Sequence, residues 1–480
     1  LQEKDKRWLA LYLLCLGELM IVLDTTVVNV ALPSIRASLG FSEATLVWVV
    51  NAYMLTYGGF LLLGGRLGDL YGNRRLFLGG LVLFTVASLA CGLAGSQGML
   101  VAARAVQGLG GAVVSAVALA LIINLFSEPA ERAKAMGFYG FVCAGGGSLG
   151  VLLGGALTDL LGWHAVFLIN LPIGIAVYAF CRAALPADRR QRSKEKLDVA
   201  GAFTVTASLM LAIYGIVGGN AAGWRSGQTL GFLGGAVLLL AVFLGIEARA
   251  EHPLMPLRLF RVRSVAVSNV LGALWAAAMF AWFFISALYM QQVLGYSAMQ
   301  VGLAFLPSNL IMAAFSLGLS ARMVLRFGLR APIALGLALA AVGLALFALA
   351  PVHGSFAVHV LPGMLLLGLG CGMALNPVLL AAMGDVAESE SGLASGIVNT
   401  AFMMGGALGL AVLASLATAR SDALAAALAA PEALTAGYQS AFAVGAVFAA
   451  VAAAAAGLLR PRTGKLQGEP AWETPSSTGK

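Results

Sequence analysis

Three ionisable residues stand inside long apolar runs of this sequence: Glu18 and Asp24 in the run 8–30, and Arg104 in the run 99–123. Charge in hydrocarbon is costly, and where it occurs it marks ion paths, proton relays or ligand counter-ions. Glu18 and Asp24 are six positions apart, which turns them roughly 120° from each other on a helix. Counted from the start of the run, Glu18 lies about 15 Å deep and Asp24 about 24 Å. The run 99–123 comes back in the opposite sense, so Arg104 reaches a level near Asp24. An Asp24–Arg104 ion pair is expected, since each would otherwise be buried alone. Glu18 has no basic residue at its depth. It suits a proton that is loaded and released, or attraction of a cationic ligand. The blander readings are a protonated acid bonded inside a helix bundle and a purely structural ion pair.

Other groups suit a cavity wall. Asparagines 29, 51, 124, 170, 269, 309, 376 and 399 fall in or near apolar runs, and some of them tie helices together. Asn309 and Asn399 lie mid-run in a half without deep charge, which makes them the polar cavity candidates. Trp275, Met279, Trp282 and Phe283 form a spaced set able to stack on a planar apolar ligand. With Glu18, these six are the expected substrate-binding residues. The histidines form no metal-ligand constellation. Neither a nucleophile–base pattern nor a phosphate-binding G-x-x-x-x-G-K-[ST] loop is present. No enzyme activity, cofactor, metal or nucleic-acid partner is expected.

The elements that hold these residues are long apolar helices. Of 480 residues, 60% are hydrophobic and 10% charged, against about 25% charged in a typical soluble domain. A soluble body of this size needs a charged skin that this chain cannot supply, which excludes an ordinary cytosolic enzyme and a disordered chain. The five cysteines all sit in apolar runs without a C-x-x-C pair. Fourteen runs approach the roughly 20 apolar residues that span a bilayer: 8–30, 46–65, 76–94, 99–123, 135–160, 165–184, 198–218, 229–248, 265–289, 300–320, 332–350, 358–382, 395–418 and 437–459. The first reads as a spanning helix, not a signal peptide, because it is too long and Asp24 interrupts it. Trp8, Trp48, Trp163 and Trp224 lie near run ends, as interfacial tryptophans do. With both termini in the cytoplasm, the outward segments carry only Arg36, Arg225 and Arg420, and every other Lys or Arg except Arg104 faces inward. That asymmetry is a positive-inside signal.

An internal repeat organises the runs. RLGDLYGNR at 66–74 and RMVLRFGLR at 322–330 share Arg66/Arg322, Gly72/Gly328 and Arg74/Arg330 at an offset of 256 residues, which also carries the first run onto the ninth. The expected fold is all-α and polytopic, with two six-helix bundles, 8–184 and 264–459, and two inserted helices over 198–248. The cytoplasmic segments are the tail 1–7, the linkers 185–197 and 249–263, and the tail 460–480. Duplicated halves are known in secondary transporters. The alanine-rich stretch 420–436 reads as an outer loop with a short surface helix.

The motifs resemble the major facilitator superfamily, in particular its fourteen-helix branch of drug:proton antiporters. GGRLGDLYGNRR at 64–75 is similar to the family's cytoplasmic signature, and the resemblance makes Asp69, with Arg66, Gly72, Arg74 and Arg75, a gate cluster. RAVQGLGGA at 104–112 resembles the motif whose arginine is linked to proton coupling. LDTTVVNVALP at 23–33 resembles the signature of the fourteen-helix branch, with Asp24 its acid. GGGSLGVLLGG at 145–155 resembles the antiporter motif, in which Gly145, Gly146, Gly150, Gly154 and Gly155 allow close helix packing. Val151 departs from the usual proline there, which implies a straighter helix. The resemblance implies a monomer in a bacterial cytoplasmic membrane that exports small lipophilic substrates in exchange for protons, among membrane lipid. The last six runs hold no deep acid, which suits a monocation, a zwitterion or a neutral lipophile. The alternatives are a dedicated exporter of one endogenous metabolite, antibiotic or lipid, and a non-transporting membrane sensor.

Overall fold

The computed structural model describes residues 3–126, 128–185, 198–251, 253–315, 319–383, 385–386 and 388–459. Its helices are α1 (Glu3–Leu39), α2 (Glu43–Tyr71), α3 (Asn73–Gly92), α4 (Gln97–Leu125), α5 (Pro129–Leu161), α6 (Ala165–Leu168), α7 (Asn170–Ala184), α8 (Val199–Ala222), α9 (Gly227–Arg249), α10 (Arg263–Leu288), α11 (Ala298–Ala314), α12 (Ser320–Phe327), α13 (Arg330–Ala348), α14 (Leu361–Met383), α15 (Glu388–Leu424) and α16 (Ala430–Ala455). Hydrocarbon offers the backbone no water, so each apolar run closes its own hydrogen bonds as a helix. Side chains start several of them: Ser42, Ser96, Asp198, Ser226 and Ser297 each accept a first-turn N–H, the role of a good N-cap.

Twelve helical segments among the described residues are long and apolar enough to cross a membrane, and α5 and α11 add shorter apolar stretches at Leu149–Leu161 and Ala298–Ala314. The protein is a multi-pass membrane protein. Three details differ from the sequence reading. The stretch 420–436 is mostly helix, because α15 runs on to Leu424 and α16 starts at Ala430, as alanine's helix propensity favours. The segment 165–184 breaks at Ile169. Trp163, just after the end of α5, is buried against the protein rather than exposed, stacked on His164 with ring centroids 3.8 Å apart. The tail 460–480 and most of the linker 185–197 lie outside the described residues.

α1 packs on α5 and α7, α2 on α4, and α3 on α4 and α7; in the second half α10 packs on α15, α13 on α14 and α16, and α11 on α14. The two groups meet along two seams, α2 with α15 and α5 with α11. The offset of 256 carries α2 onto α11 and α12, and α5 onto α15, so the repeat exchanges one seam for the other. α8 and α9 form a hairpin, and α8 lies against both α2 and α15, backing one seam only.

The backbone carries the repeat further than the motif does. Gly72 and Gly328 both end a helix at positive φ, 100° and 73°, a conformation that costs glycine little and other residues much. The corner Leu39-Gly40-Phe41-Ser42 matches Leu294-Gly295-Tyr296-Ser297 at an offset of 255. Both glycines have φ 72°, and both serines form capping boxes. The one-residue slip hides this match from a fixed-offset comparison. The corners meet at the end of the body opposite the basic Arg66 and Arg322 corners. There Arg36 donates to Gln292, 256 positions later, at 3.0 Å, and Gln291 donates to the Val30 carbonyl at 3.0 Å.

Candidate functional site

Glu18, Asp24 and Arg104 all point into the helix body, with 4%, 2% and 1% exposure. The expected ion pair is present: Arg104 Nη1 donates to Asp24 Oδ2 at 2.5 Å. More donors surround it. Gln107 Nε2 and Asn170 Nδ2 donate to Asp24 Oδ1 at 2.7 and 2.9 Å. The arginine is held as closely: Nη1 reaches Gln107 Oε1 at 2.6 Å and Nε the Val49 carbonyl at 2.9 Å. The Tyr53 ring lies 4.3 Å from its guanidinium carbon, within cation–π range. Ser88 Oγ accepts from Gln107 at 2.7 Å. Helices α1, α2, α3, α4 and α7 each contribute, so the pair is a hub of the first half. A buried ion pair is tolerated only when hydrogen bonds satisfy its remaining atoms, and this one meets that condition. Sequence reasoning missed Gln107 and Ser88. The available signal was the spacing of Gln107, three residues after Arg104 on the same helix face.

Glu18 sits in a poorer setting. Ser115 Oγ donates to its Oε1 at 3.1 Å, and the Tyr139 hydroxyl is a second donor to the carboxyl. Oε2 is buried without a hydrogen-bond partner. Among the described residues no ion pair includes it. The two carboxyl groups of α1 are thus equally hidden and unequally supplied with donors.

The glycines of α5 set its distance from two neighbours. A methyl at Gly146 would meet Leu19 and Val22 at 2.9 Å, and one at Gly154 would stand 2.7 Å from the Val27 carbonyl oxygen. Gly150 faces Leu23 and Thr26 of α1. Gly155 turns instead to the seam, where a methyl would stand 2.6 Å from the Ala298 carbonyl oxygen. The surroundings of Gly145 lie outside the described residues. α5 is continuous across Val151.

At the basic corner Gly72 makes the turn, Arg66 is half-buried and Arg75 exposed. Arg74 Nη2 donates to the Arg182 carbonyl at 2.5 Å, which ties α3 to α7. The Asp69 side chain lies outside the described residues. In the second half Trp275 and Trp282 are fully buried, Phe283 and Asn309 are buried, and Met279 and Asn399 are half-buried. Trp282 and Phe283 pack on Phe305 of α11, the latter stacked at 5.2 Å. Trp275 Nε1, Trp282 Nε1 and Asn309 Nδ2 have no partner. Cys15, Cys91, Cys181 and Cys371 are buried free thiols, Cys143 has its side chain outside the described residues, and no metal-holding cluster occurs among the described residues.

Comparison with known proteins accounts for this architecture. The Major Facilitator Superfamily pattern matches residues 14–410. The chain belongs to that superfamily. It is 40% identical over 407 residues to the cephamycin export protein of Amycolatopsis lactamdurans, covering 84% of each. It is 39% identical to the puromycin resistance protein pur8 of Streptomyces alboniger, covering 86% of this chain and 82% of that one. Among solved structures, a bacterial homolog of the human lysosomal transporter Spinster, inward-facing and unoccupied, superposes with a TM-score of 0.68 over 95% of this chain and 98% of its own, at 18% identity. That likeness concerns the fold alone.

Proposed function

We propose that this membrane transporter exports amphipathic, cationic or neutral lipophilic compounds in exchange for protons, by alternating access between two six-helix halves. The reading places fourteen crossings, the halves at 8–184 and 264–459, and both termini in the cytoplasm, with the basic Arg66 and Arg322 corners facing inward as the positive-inside rule prefers. The protein acts as a monomer in a bacterial cytoplasmic membrane. Relatives named for antibiotic export and resistance support the direction of transport.

The observation that carries the proton reading is the contrast on α1. Asp24 is fixed to Arg104 and held by two further amide donors, Gln107 and Asn170. Glu18, with one bare oxygen, is the proton carrier and the counter-charge for a cationic substrate. Met279 and Asn399 form the opposite wall, Asn309 offers an unpaired amide, and Trp275, Trp282 and Phe283 back that wall. Asp69, with Arg66, Gly72, Arg74 and Arg75, braces the inner gate. One proton moving down 100 mV contributes about 2.3 kcal/mol, enough for about 50-fold accumulation.

The test is pH-gradient-driven flux of puromycin and a panel of cationic dyes in proteoliposomes. Wild type should accumulate substrate only with the gradient, and Glu18→Gln should lose that dependence. Gradient-independent flux by the wild type, or undiminished coupling by Glu18→Gln, rejects the assignment. A second reading, a dedicated exporter of one antibiotic, is favoured by relatives named for single compounds. Flux of one panel member alone would select it.

A further inference from the structure

Asp159 stands in the last turn of α5, exposed, at the end of the body opposite the basic corners. Its carboxylate crosses the seam. Oδ1 accepts the Ala298 N–H at 3.2 Å and Oδ2 the Met299 N–H at 2.8 Å, the first two amides of α11. Ser297 Oγ accepts the Gln300 N–H at 3.3 Å, while Gln300 Oε1 accepts the Ser297 N–H at 2.8 Å. The N-terminus of α11 is therefore closed by two devices. One belongs to its own corner, and the other is a carboxylate from the opposite half, 139 positions earlier.

The approach that allows this is built from glycine. A methyl at Gly302 would stand 2.9 Å from the Val151 carbonyl oxygen, matching the contact already described at Gly155. A carboxylate at a helix N-terminus gains charge-assisted hydrogen bonds and a favourable interaction with the helix dipole. The counterpart of α11 under the repeat, α2, is capped by its own Ser42 and Thr45. The position equivalent to Asp159 there is Ser415, which binds Asn220 of the inserted helix at 3.0 Å. Among the described residues the acid clasp occurs on this seam only.

We propose that Asp159 is the catch of the outer gate: its carboxylate holds α5 to the start of α11 while the outer side is closed, and lets go when that side opens. The inference rests on the alternating-access reading above. Asp159 is a positioning residue. It touches no substrate, and it sets the balance between outer-closed and outer-open forms. Because the contact is exposed, its strength is that of a surface charge–dipole pair, and losing it changes the ratio of the two forms about 2- to 5-fold.

Spin labels at Gly95 and His353, both exposed in connections at the outer end, report the opening as a distance distribution in the full chain. Asp159→Asn should enlarge the long-distance population by about 2- to 5-fold, and Asp159→Glu should restore most of the closed form. Ser297→Ala is the control for a merely structural cap. It removes the corner's own device and leaves the clasp, so it should lower thermal stability without moving the ratio. Two populations whose ratio Asp159→Asn leaves unchanged, or that Ser297→Ala moves equally, overturn the catch and leave alternating access standing. A single distance under all pH values and substrates, in wild type and variants alike, overturns both.

Discussion

Glu18 and Asp24 share a helix, a bundle and nearly the same burial, yet one is surrounded by three donating side chains and the other leaves an oxygen bare. Burial alone does not decide what an acid does. Both bear the cost of leaving water, and they differ in the supply of donors that offsets it. Around Asp24 the guanidinium of Arg104 and the amides of Gln107 and Asn170 replace hydration completely. Around Glu18 two hydroxyls replace it in part, which is why the proposed function gives the moving proton to this acid.

The largest expected effect follows from breaking the saturated site. Asp24→Asn leaves Arg104 buried beside neutral partners, and removing one member of a buried pair costs about 3–5 kcal/mol. Thermal unfolding in detergent should show it, with reduced yield of folded protein. The double change Asp24→Asn with Arg104→Gln should recover part of the loss. An unaltered unfolding temperature in Asp24→Asn would mean that the ion pair is not the hub described here. Glu18→Gln is expected to do the opposite. Its unfolding temperature stays at or above that of the wild type, because a neutral amide costs less to bury than a carboxylate, while gradient-driven accumulation falls about 10-fold or more, by at least the 1.4 kcal/mol that a factor of ten represents. A stability loss without a coupling loss would exchange the roles of the two acids.

Asn170→Ala sharpens the comparison at smaller amplitude. It withdraws one of the three donors to Asp24 and leaves the charges in place. A missing partner to a buried polar group costs about 1–3 kcal/mol, so the unfolding temperature should drop by less than in Asp24→Asn. Proton dependence of transport should keep its shape.

The depth argument makes the Asp24–Arg104 pair legible in the sequence, because two charges at one level in hydrocarbon have few alternatives. Gln107, Ser88 and Asn170 are not legible in the same way. Uncharged polar residues are common in membrane helices, and only the mutual rotation of α3, α4 and α7 decides which of them face Asp24. The spacing of Trp275, Met279, Trp282 and Phe283 marks one broad face of α10, but spacing does not say what covers it. In the structure Phe305 of α11 lies against two of the four. The repeat is visible where an arginine-rich corner recurs at a fixed offset, and is lost one helix away, where the corners at Ser42 and Ser297 differ by a single residue. Asp159 reads as an ordinary acid near a helix end. Its partner amides are backbone atoms, which carry no sequence signature at all.

Ser115→Ala gives the smallest effect and the finest discrimination. Ser115 offers Glu18 one hydrogen bond at 3.1 Å, a contact worth about 1 kcal/mol. If the Glu18 proton moves in every cycle, this donor meets the carboxyl in one protonation state more strongly than in the other. Its removal then changes turnover by up to about fivefold, the rate equivalent of 1 kcal/mol, while the folded state loses little, since Tyr139 still serves the same group. If Glu18 is instead a static acid, the donor contributes equally throughout the cycle. Turnover should then stay at the wild-type level, with the same small loss of stability. Proteoliposome turnover of the one variant, with thermal unfolding as its control, separates the two cases.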